Sequence, residues 1–252
     1  MKKLSFAAVL MLTLVFILPA RAQSFIDYGP ARGFLELEVH ALAGGSTITE
    51  NYLGCFPEMT QMNSSPGTML GAGVTAVFGI RDWIGLGTEF NLRFNRYRID
   101  MAVSGGDATS ISNIFLRNNA TYFQIPVYMQ FRFNVSENVR WRVDAGLYYA
   151  YGIGGKQQQD IYNAQVNSLG QLVSTKISTK PGYFDDNSTF IHSYRRSDIG
   201  LHLATSLLFN RFSVGAQFNI GFKNIAYIAD GRGIITPNVH NLGYVVSIGY
   251  AL

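Results

Sequence analysis

The stretch from Trp83 to Asn95 reads "WIGLGTEFNLRFN" and alternates large apolar side chains with small or polar ones. One face holds Ile84, Leu86, Thr88, Phe90, Leu92 and Phe94, and the other holds Gly85, Gly87, Glu89, Asn91 and Arg93. A period of two residues is the pattern of a β-strand. Roughly ten residues is also the length that a tilted strand needs to cross a bilayer. The stretch therefore predicts a strand with one apolar face and one face of small, polar and charged groups.

The same alternation occurs in seven other stretches, so the sequence predicts eight strands of similar length. These stretches span residues 34–44, 69–80, 122–133, 141–152, 198–209, 212–223 and 241–252. The short connections are Arg81-Asp82, Asn134–Asn138 and Asn210-Arg211, and the long ones are 46–67, 99–119, 155–196 and 224–240. Short turns at one end and long loops at the other are typical of an outer-membrane barrel, with the long loops outside the cell.

The polar face of these strands decides between a membrane barrel and a secreted one. A lipocalin-like barrel also alternates, but its apolar face points inward and its water-facing side should be rich in Lys and Glu. Here the polar face holds Gly, Asn, Gln, Ser, Tyr and a few charges of both signs, which suits a narrow interior filled by side chains. The sequence therefore predicts an all-β fold, an eight-stranded antiparallel up-and-down transmembrane β-barrel whose last strand pairs with its first.

The first 22 residues have the features of a secretory signal peptide. A basic head precedes an apolar run from Leu4 to Leu18 and an A-x-A site at Ala20–Ala22. We expect a signal peptide over 1–22 and a barrel domain over 23–252, with a retained N-terminal anchor as the alternative. Residues 1–22 contain three of the 20 basic residues and none of the 16 acidic ones. The remaining chain therefore has 17 basic and 16 acidic residues, a net charge of +1. That balance predicts no nucleic-acid partner.

Charged residues on the polar face form the main candidate site. They are Glu36, Glu38, Glu89, Arg93, Arg132, Arg142, Asp144 and Asp198, with His40, His202 and Lys223 nearby on the same face. We expect Arg132, Arg142 and Asp144 to meet near the periplasmic end, and Arg132 to reach Glu89. Because unpaired buried charges are costly, we interpret the set as a paired plug that fills the lumen. A ligand or proton route is the alternative.

Two further features concern single residue types. Trp83 and Trp141 each follow a short turn, where an aromatic girdle at the periplasmic interface would place them. Cys55 is the only cysteine, so the chain cannot form an internal disulfide. We expect an unpaired thiol in a loop, and an intermolecular bridge is the alternative.

The search for catalytic and metal-binding patterns predicts no enzyme and no cofactor. His202 and Ser206 share the polar face but stand four residues apart on a strand, roughly 13 Å, which is too far to hydrogen-bond. No set of residues has the spacing of metal ligands, and Gly71-Ala72-Gly73 belongs to a strand rather than to a phosphate-binding loop.

Three motifs resemble a known family. "YFQIPVYMQFRF" (Tyr122–Phe133), "GLGTEFNLRF" (Gly85–Phe94) and "DIG" (Asp198–Gly200) are similar to strands of the PorT-like outer-membrane β-barrel family of Gram-negative bacteria. The final strand also resembles the terminal signal of outer-membrane barrels, with Tyr250 and Leu252 on its apolar face. The resemblance implies an integral outer-membrane protein without an agreed activity, and some relatives serve protein secretion or gliding.

These observations leave three classes of function open. The first is an integral outer-membrane protein with a filled lumen that acts through its extracellular loops as a structural or interaction protein. The second is a component of a protein-secretion or envelope-assembly machine, and the third is an outer-membrane enzyme or a narrow pore. The expected partners are outer-membrane lipid, the barrel-assembly machinery during insertion, and a protein at the extracellular loops. The loop ligand and the oligomeric state are left open.

Overall fold

The computed structural model describes residues 25–31, 33–56, 58–105, 110–184, 193–227 and 237–252. The expected signal peptide, 1–22, lies outside the described residues. The elements are β1 (Leu35–Glu50), α1 (Tyr52–Cys55), β2 (Met59–Arg81), β3 (Ile84–Ser104), β4 (Ser110–Ser136), β5 (Val139–Val166), β6 (Leu172–Thr179), β7 (Ser193–Tyr194), β8 (Ser197–Phe209), β9 (Phe212–Gly221), β10 (Ala226–Tyr227) and β11 (Val239–Ala251). In the described part of the chain, no helix has the length and apolar character needed to cross a membrane.

Eight of the strands close into a ring. Their order is β1-β2-β3-β4-β5-β8-β9-β11, every neighbouring pair is antiparallel, and β11 pairs back onto β1. The predicted eight-stranded antiparallel barrel is therefore confirmed. Strand β6 lies outside the ring and pairs with β5, and the short strands β7 and β10 form a separate two-stranded sheet.

The alternation of the sequence divides the barrel wall into two faces. Leu86 and Val127 lie on the outer face and are 43% and 50% exposed, while Glu89 and Gln130 lie on the inner face and are 3% and 2% exposed. Large apolar residues thus stand outside and polar residues inside, the reverse of a water-soluble barrel. This arrangement is stable where the solvent is hydrocarbon, because a closed ring of strands pairs its backbone groups within the wall and has no open edge.

Glycines make room for the largest interior side chains. The ring of Tyr128 occupies the space that a Cβ would take at Gly87, and its Cβ lies within 2.6 Å of the corresponding position at Gly146. Tyr148 fills the same kind of space beside Gly200. Small residues on the inner face thus accommodate bulky neighbours.

The strands extend farther than the sequence pattern indicated. Strands β4 and β5 contain 27 and 28 residues. The paired ladder between β3 and β4 continues to Ser104 and Ile111, inside the region 99–119 that was expected to be a loop. That expectation was wrong, and so was the loop assignment of much of 155–196, which contains the end of β5 and all of β6. We call the belt of large apolar residues on the outer face, such as Leu86 and Val127, the apolar band. Beyond this band the outer face no longer has to be apolar, so strand pairing continues although the alternation of the sequence fades.

Candidate functional site in the lumen and at its outer end

An ion pair crosses the lumen between opposite walls of the barrel. The Arg142 Nη1 atom on β5 donates a hydrogen bond to Glu38 Oε2 on β1 at 2.8 Å. Strands β1 and β5 are four positions apart in either direction around the ring of eight. Arg142 also donates to the Ser206 hydroxyl, and Ser213 donates to the second oxygen of Glu38. The pair is thus well satisfied, as a buried ion pair must be.

Arg132 pairs with Glu36 and not with Glu89. Its Nη1 lies 3.0 Å from Glu36 Oε1, and its Nε donates to Gln130. The expectation that Arg132 reaches Glu89 was wrong because the register of β3 against β4 separates them. Glu89 lies between the Thr88–Val127 and Asn91–Gln124 pairs. Arg132 is five or more residues farther along β4, which is on the order of 15–20 Å.

Glu89 is held instead by a chain of hydrogen-bonded polar side chains. The Asn91 amide donates to one carboxylate oxygen at 2.7 Å and the Tyr128 hydroxyl donates to the other at 3.3 Å. His40 Nε2 lies 2.7 Å from Asn91 Oδ1 and 3.9 Å from the carboxylate. The Thr75 hydroxyl then lies 3.1 Å from His40 Nδ1. With His40 donating from Nε2, every hydrogen bond in this chain has one donor and one acceptor.

A second polar bridge crosses the middle of the barrel. Arg93 on β3 donates from Nη2 to Gln217 Oε1 on β9 at 2.9 Å, and these strands are also opposite in the ring. Gln124 donates to Asn219 Oδ1 at 3.1 Å, and the same oxygen lies 2.9 Å from His202 Nδ1. The interior is therefore braced by side chains at more than one level.

The remaining predicted lumen acids lie at different heights. Asp144 is buried directly opposite Gln130, two residues along β4 and β5 from the position where Arg132 faces Arg142. The register places these three residues close together, and the ion pairs of the two arginines are with Glu36 for Arg132 and Glu38 for Arg142. Asp198 lies toward the long-loop end, where it accepts hydrogen bonds from Tyr148 at 2.8 Å and Asn241 at 2.9 Å.

The lumen retains two small cavities of about 30 Å³ each. The first is lined by groups that include Glu38, Glu89, Arg142 and Asp144. The second is lined by groups that include Arg93, Tyr122, Tyr148, Asp198 and Asn219. Polar cavities of this size accommodate about one water molecule. They have no room for an organic substrate.

An aromatic cluster closes the long-loop end of the barrel. We call it the tyrosine cap, and it consists of Tyr52, Tyr97, Tyr122, Tyr183, Phe184 and Tyr194, all buried. The Tyr97 and Tyr183 hydroxyls are 2.7 Å apart, and the Tyr183 ring stacks on Tyr194 with centroids 4.6 Å apart. Phe184 meets the Tyr183 ring edge-on at 4.7 Å. These side chains come from α1, β3, β4, β7 and the segment before residue 185.

The alternation of the sequence did not predict the tyrosine cap. Four of its members lie in regions that were expected to be loops, where apolar alternation gives no signal. The one available indication was the density of aromatic residues in those loops. Burial raises the pKa of the Tyr183 phenol well above its ordinary value, so this hydroxyl is neutral in the folded protein.

The described residues contain no metal-binding cluster, and the candidate polar pair His202 and Ser206 has other hydrogen-bond partners. In the part of the chain that the structure covers, no group of three His, Cys, Asp or Glu side chains is placed to hold a metal ion. His202 is buried and engaged with Asn219, and the Ser206 hydroxyl accepts from Arg142. Cys55 is half-buried in α1, with its Sγ 3.8 Å from Asn51 Oδ1.

Both tryptophans lie beside the short turns. Trp83 packs between Phe131, with centroids 6.3 Å apart, and Tyr28, with centroids 5.9 Å apart. Trp141 packs on Phe133 at 5.2 Å, and its Nε1 donates to the Thr205 hydroxyl at 2.7 Å. This placement agrees with the interpretation of a periplasmic aromatic girdle, which stays a prediction.

A family model of known proteins matches most of this chain. Residues 22–227 match the family model of the outer membrane protein beta-barrel domain. The chain belongs to this family. A member of the outer membrane protein beta-barrel domain family is an integral protein of the cell outer membrane, which agrees with the apolar outer face and the ring of eight strands. The predicted location is thereby confirmed.

Solved structures similar to this family member are distant in sequence. Ail, the attachment invasion locus protein of Yersinia pestis, is 13% identical to this chain, and its structure was solved with the heparin analogue sucrose octasulfate. The match covers 86% of this chain and 97% of Ail, with a TM-score of 0.33. OprG from Pseudomonas aeruginosa is 8% identical to this chain. The match covers 90% of this chain and 99% of OprG, with a TM-score of 0.35. Neisserial surface protein A is 10% identical to this chain. The match covers 85% of this chain and 96% of that protein, with a TM-score of 0.30. No curated protein matches the chain.

Proposed function

We propose that this protein is an outer-membrane barrel with a closed lumen and that it acts as an interaction protein. Its binding surface is the extracellular sheet, which consists of the parts of β3, β4 and β5 beyond the apolar band together with β6. The observation that carries the proposal is the bracing of the lumen by Arg142–Glu38 and Arg93–Gln217, each of which joins opposite walls. Side chains that meet across a barrel leave no room for a wide aqueous path, and eight strands enclose little more than their own side chains. The tyrosine cap adds a second obstruction at the long-loop end.

The extracellular sheet supports a role in binding. Strands β3, β4, β5 and β6 continue past the apolar band, and β5 runs for about 30 Å beyond Lys156 when its ten further residues are fully extended. One face of this sheet carries a row of apolar residues, Met101, Ile114, Ile161 and Ile177, which are register neighbours. Ile177 is 48% exposed, so the row ends in an apolar edge that a partner can cover.

Strand β6 is the natural docking edge for a protein partner. It pairs with β5, and among the described residues no strand pairs with its other side. A free strand edge offers unpaired backbone groups to an incoming strand, a common mode of peptide recognition. Val173 and Ile177 lie on the face that a partner strand would extend.

Conductance and cross-linking test the proposal together. The purified protein in planar bilayers should give no steady conductance, with a sixteen-stranded porin as the positive control. A photoreactive amino acid in place of Ile177 should give a protein adduct of defined mass in intact cells, and the same probe at the lipid-facing Leu207 should not. The adduct should be lost in Val173→Lys, which places a charge at the docking edge. A reproducible open channel would contradict the closed barrel, and equal adducts at both probe sites would contradict docking at β6.

The motifs on β3, β4 and β8 support a narrower proposal, that the protein is PorT-like and serves a secretion or envelope-assembly machine. Deleting the gene and comparing the secreted proteins tests this alternative, since a secretion component should lower the export of specific proteins while leaving the barrel of other outer-membrane proteins intact. The hydrogen bonds that engage His202 and Ser206 support the expectation that the protein is not an enzyme.

A further inference from the structure

Four basic residues form a patch on the outside of the barrel, directly above its apolar band. We call Arg96, Arg98, Arg117 and Lys156 the basic patch; all four are exposed. The upper rim of the apolar band on the same strands is formed by Phe94, Phe123 and Tyr151, which are 48%, 38% and 44% exposed. Arg96 stands two residues beyond Phe94 on the outer face of β3. The patch therefore begins where the hydrocarbon region ends.

The register places the patch on two adjacent rows across three strands. Arg96 on β3 lies opposite Asn119 on β4, and Asn119 lies opposite Lys156 on β5. In the next row Arg98 lies directly opposite Arg117. Like charges directly opposite each other on a sheet repel, so this pairing is unfavourable unless an anion lies between them.

The protein itself supplies little of that negative charge. Arg98 pairs with Asp100 at 2.6 Å, and its guanidinium also lies 5.4 Å above the Phe115 ring. Within the described residues, Arg96, Arg117 and Lys156 form no ion pair. Asp160, in a higher row, accepts a hydrogen bond from Ser178 at 2.7 Å. A net positive charge therefore remains at this level of the wall.

Basic residues elsewhere around the same rim are used differently. Arg196 donates to the Gly152 carbonyl at 3.1 Å and lies over the Phe184 ring, so it holds the tyrosine cap in place. Arg195 donates to the Ala226 carbonyl, and Lys223 donates to the Ser197 hydroxyl. These side chains have structural hydrogen-bond partners, whereas Arg96, Arg117 and Lys156 have no ion-pair partner in the described part of the chain.

We propose that the basic patch binds the phosphate groups of a phosphorylated glycolipid in the outer leaflet. Phosphate oxygens suit the planar donor fork of Arg and the point charge of Lys. Acyl chains of the same lipid would lie along Phe94, Phe123 and Tyr151, so one molecule satisfies both the charge above the rim and the apolar surface below it. The inference rests on the long connections being extracellular, which proteolysis of intact cells tests separately.

Lipid titration of the full chain in detergent micelles tests the proposal. Bis-phosphorylated lipid A is added, and bound lipid is counted by native mass spectrometry. Arg117→Gln combined with Lys156→Gln should weaken binding about thirtyfold, because each cation near an anionic lipid surface strengthens binding roughly fivefold. The matched control is Lys176→Gln, an exposed cation whose row lies four residues, roughly 13 Å, beyond the row of Arg117, and it should bind as wild type.

Three outcomes would overturn the proposal. Unchanged affinity in the double variant would remove the patch from lipid binding. Equal binding of dephosphorylated lipid A would show that acyl contacts alone hold the lipid. Binding of inorganic pyrophosphate as tightly as lipid A would assign the patch to a free anion rather than to a membrane lipid. Since all the substituted side chains are exposed, the variants should fold, and the heat-dependent shift in gel mobility of the folded barrel confirms it.

Discussion

Arg142 and Glu38 stand 104 residues apart in the chain and on opposite walls of the barrel, yet their side chains meet at 2.8 Å in the lumen. Both side chains are about nine-tenths buried. Such a pair is costly to break on one side, because the charge that stays behind has lost its partner in a largely buried site. The contact also fixes how the two halves of the barrel face each other.

Arg142→Ala should therefore destabilise the barrel by about 3–5 kcal/mol, and the Arg142→Ala/Glu38→Ala double variant should lose clearly less than the sum of the two single variants. Urea unfolding in lipid vesicles measures both. The exposed pair Arg98–Asp100 is the control, and breaking it should cost less than about 1 kcal/mol. Additive losses for Arg142 and Glu38 would contradict a direct ion pair.

Leu203→Arg should lower the free energy of unfolding by about 2–4 kcal/mol, because this side chain lies at mid-strand on the lipid-facing side of β8. The same substitution at the exposed Leu172 on β6 should have little effect, since that strand lies beyond the apolar band. Refolding into vesicles followed by urea titration compares the two. If both variants were equally stable, the outer face of β8 would not contact lipid.

Gly87→Ala should destabilise the barrel by about 1–3 kcal/mol, because the new methyl group would overlap the Tyr128 ring in a packed interior. Gly154→Ala is the matched control, since a Cβ at Gly154 meets no atom within 4 Å. Thermal unfolding of the two variants in the same detergent gives the comparison. A neutral Gly87→Ala would mean that Tyr128 can leave its position at no cost.

The stability of the tyrosine cap should fall as the pH rises above about 10. Burial raises the pKa of Tyr183, so its proton is retained in the folded state while an exposed tyrosine releases it near pH 10. The stabilising contribution is complete below the unfolded pKa and is lost as the pH rises toward the folded one. Unfolding midpoints measured from about pH 8 to pH 11 should decline for the wild type and decline less for Tyr183→Phe. Identical slopes would show that Tyr183 titrates freely.

Protease added to intact cells should cut the turn between β5 and β6, at 167–171, where Leu169 is 80% exposed. It should spare the Asp82-Trp83 turn between β2 and β3, which the membrane protects in this orientation. Mass spectrometry of the fragments locates the cut, and disrupted cells provide the control. Cutting at Asp82-Trp83 in intact cells would reverse the assigned orientation and remove the basic patch from the outer leaflet.

Local alternation in the sequence was sufficient to determine which way each wall residue faces. A β-strand has a period of two, so Leu86 and Glu89 take opposite faces whatever their partners are. Strand number, antiparallel order and the short turns follow from the same pattern. Membership of the outer-membrane barrel family agrees with this level of prediction.

Tertiary structure decided which interior groups meet. Whether Arg132 pairs with Glu36 or with Glu89 depends on the register of β4 against β3 and on how far side chains extend across the lumen. A sequence pattern with period two contains no information on either of these. The tyrosine cap has the same origin, because Tyr97 on β3 meets Tyr183 only when the segment before residue 185 folds over the barrel mouth. The sequence determined the faces because they depend on neighbours along the chain, and the structure decided the contacts because they depend on the closure of the ring.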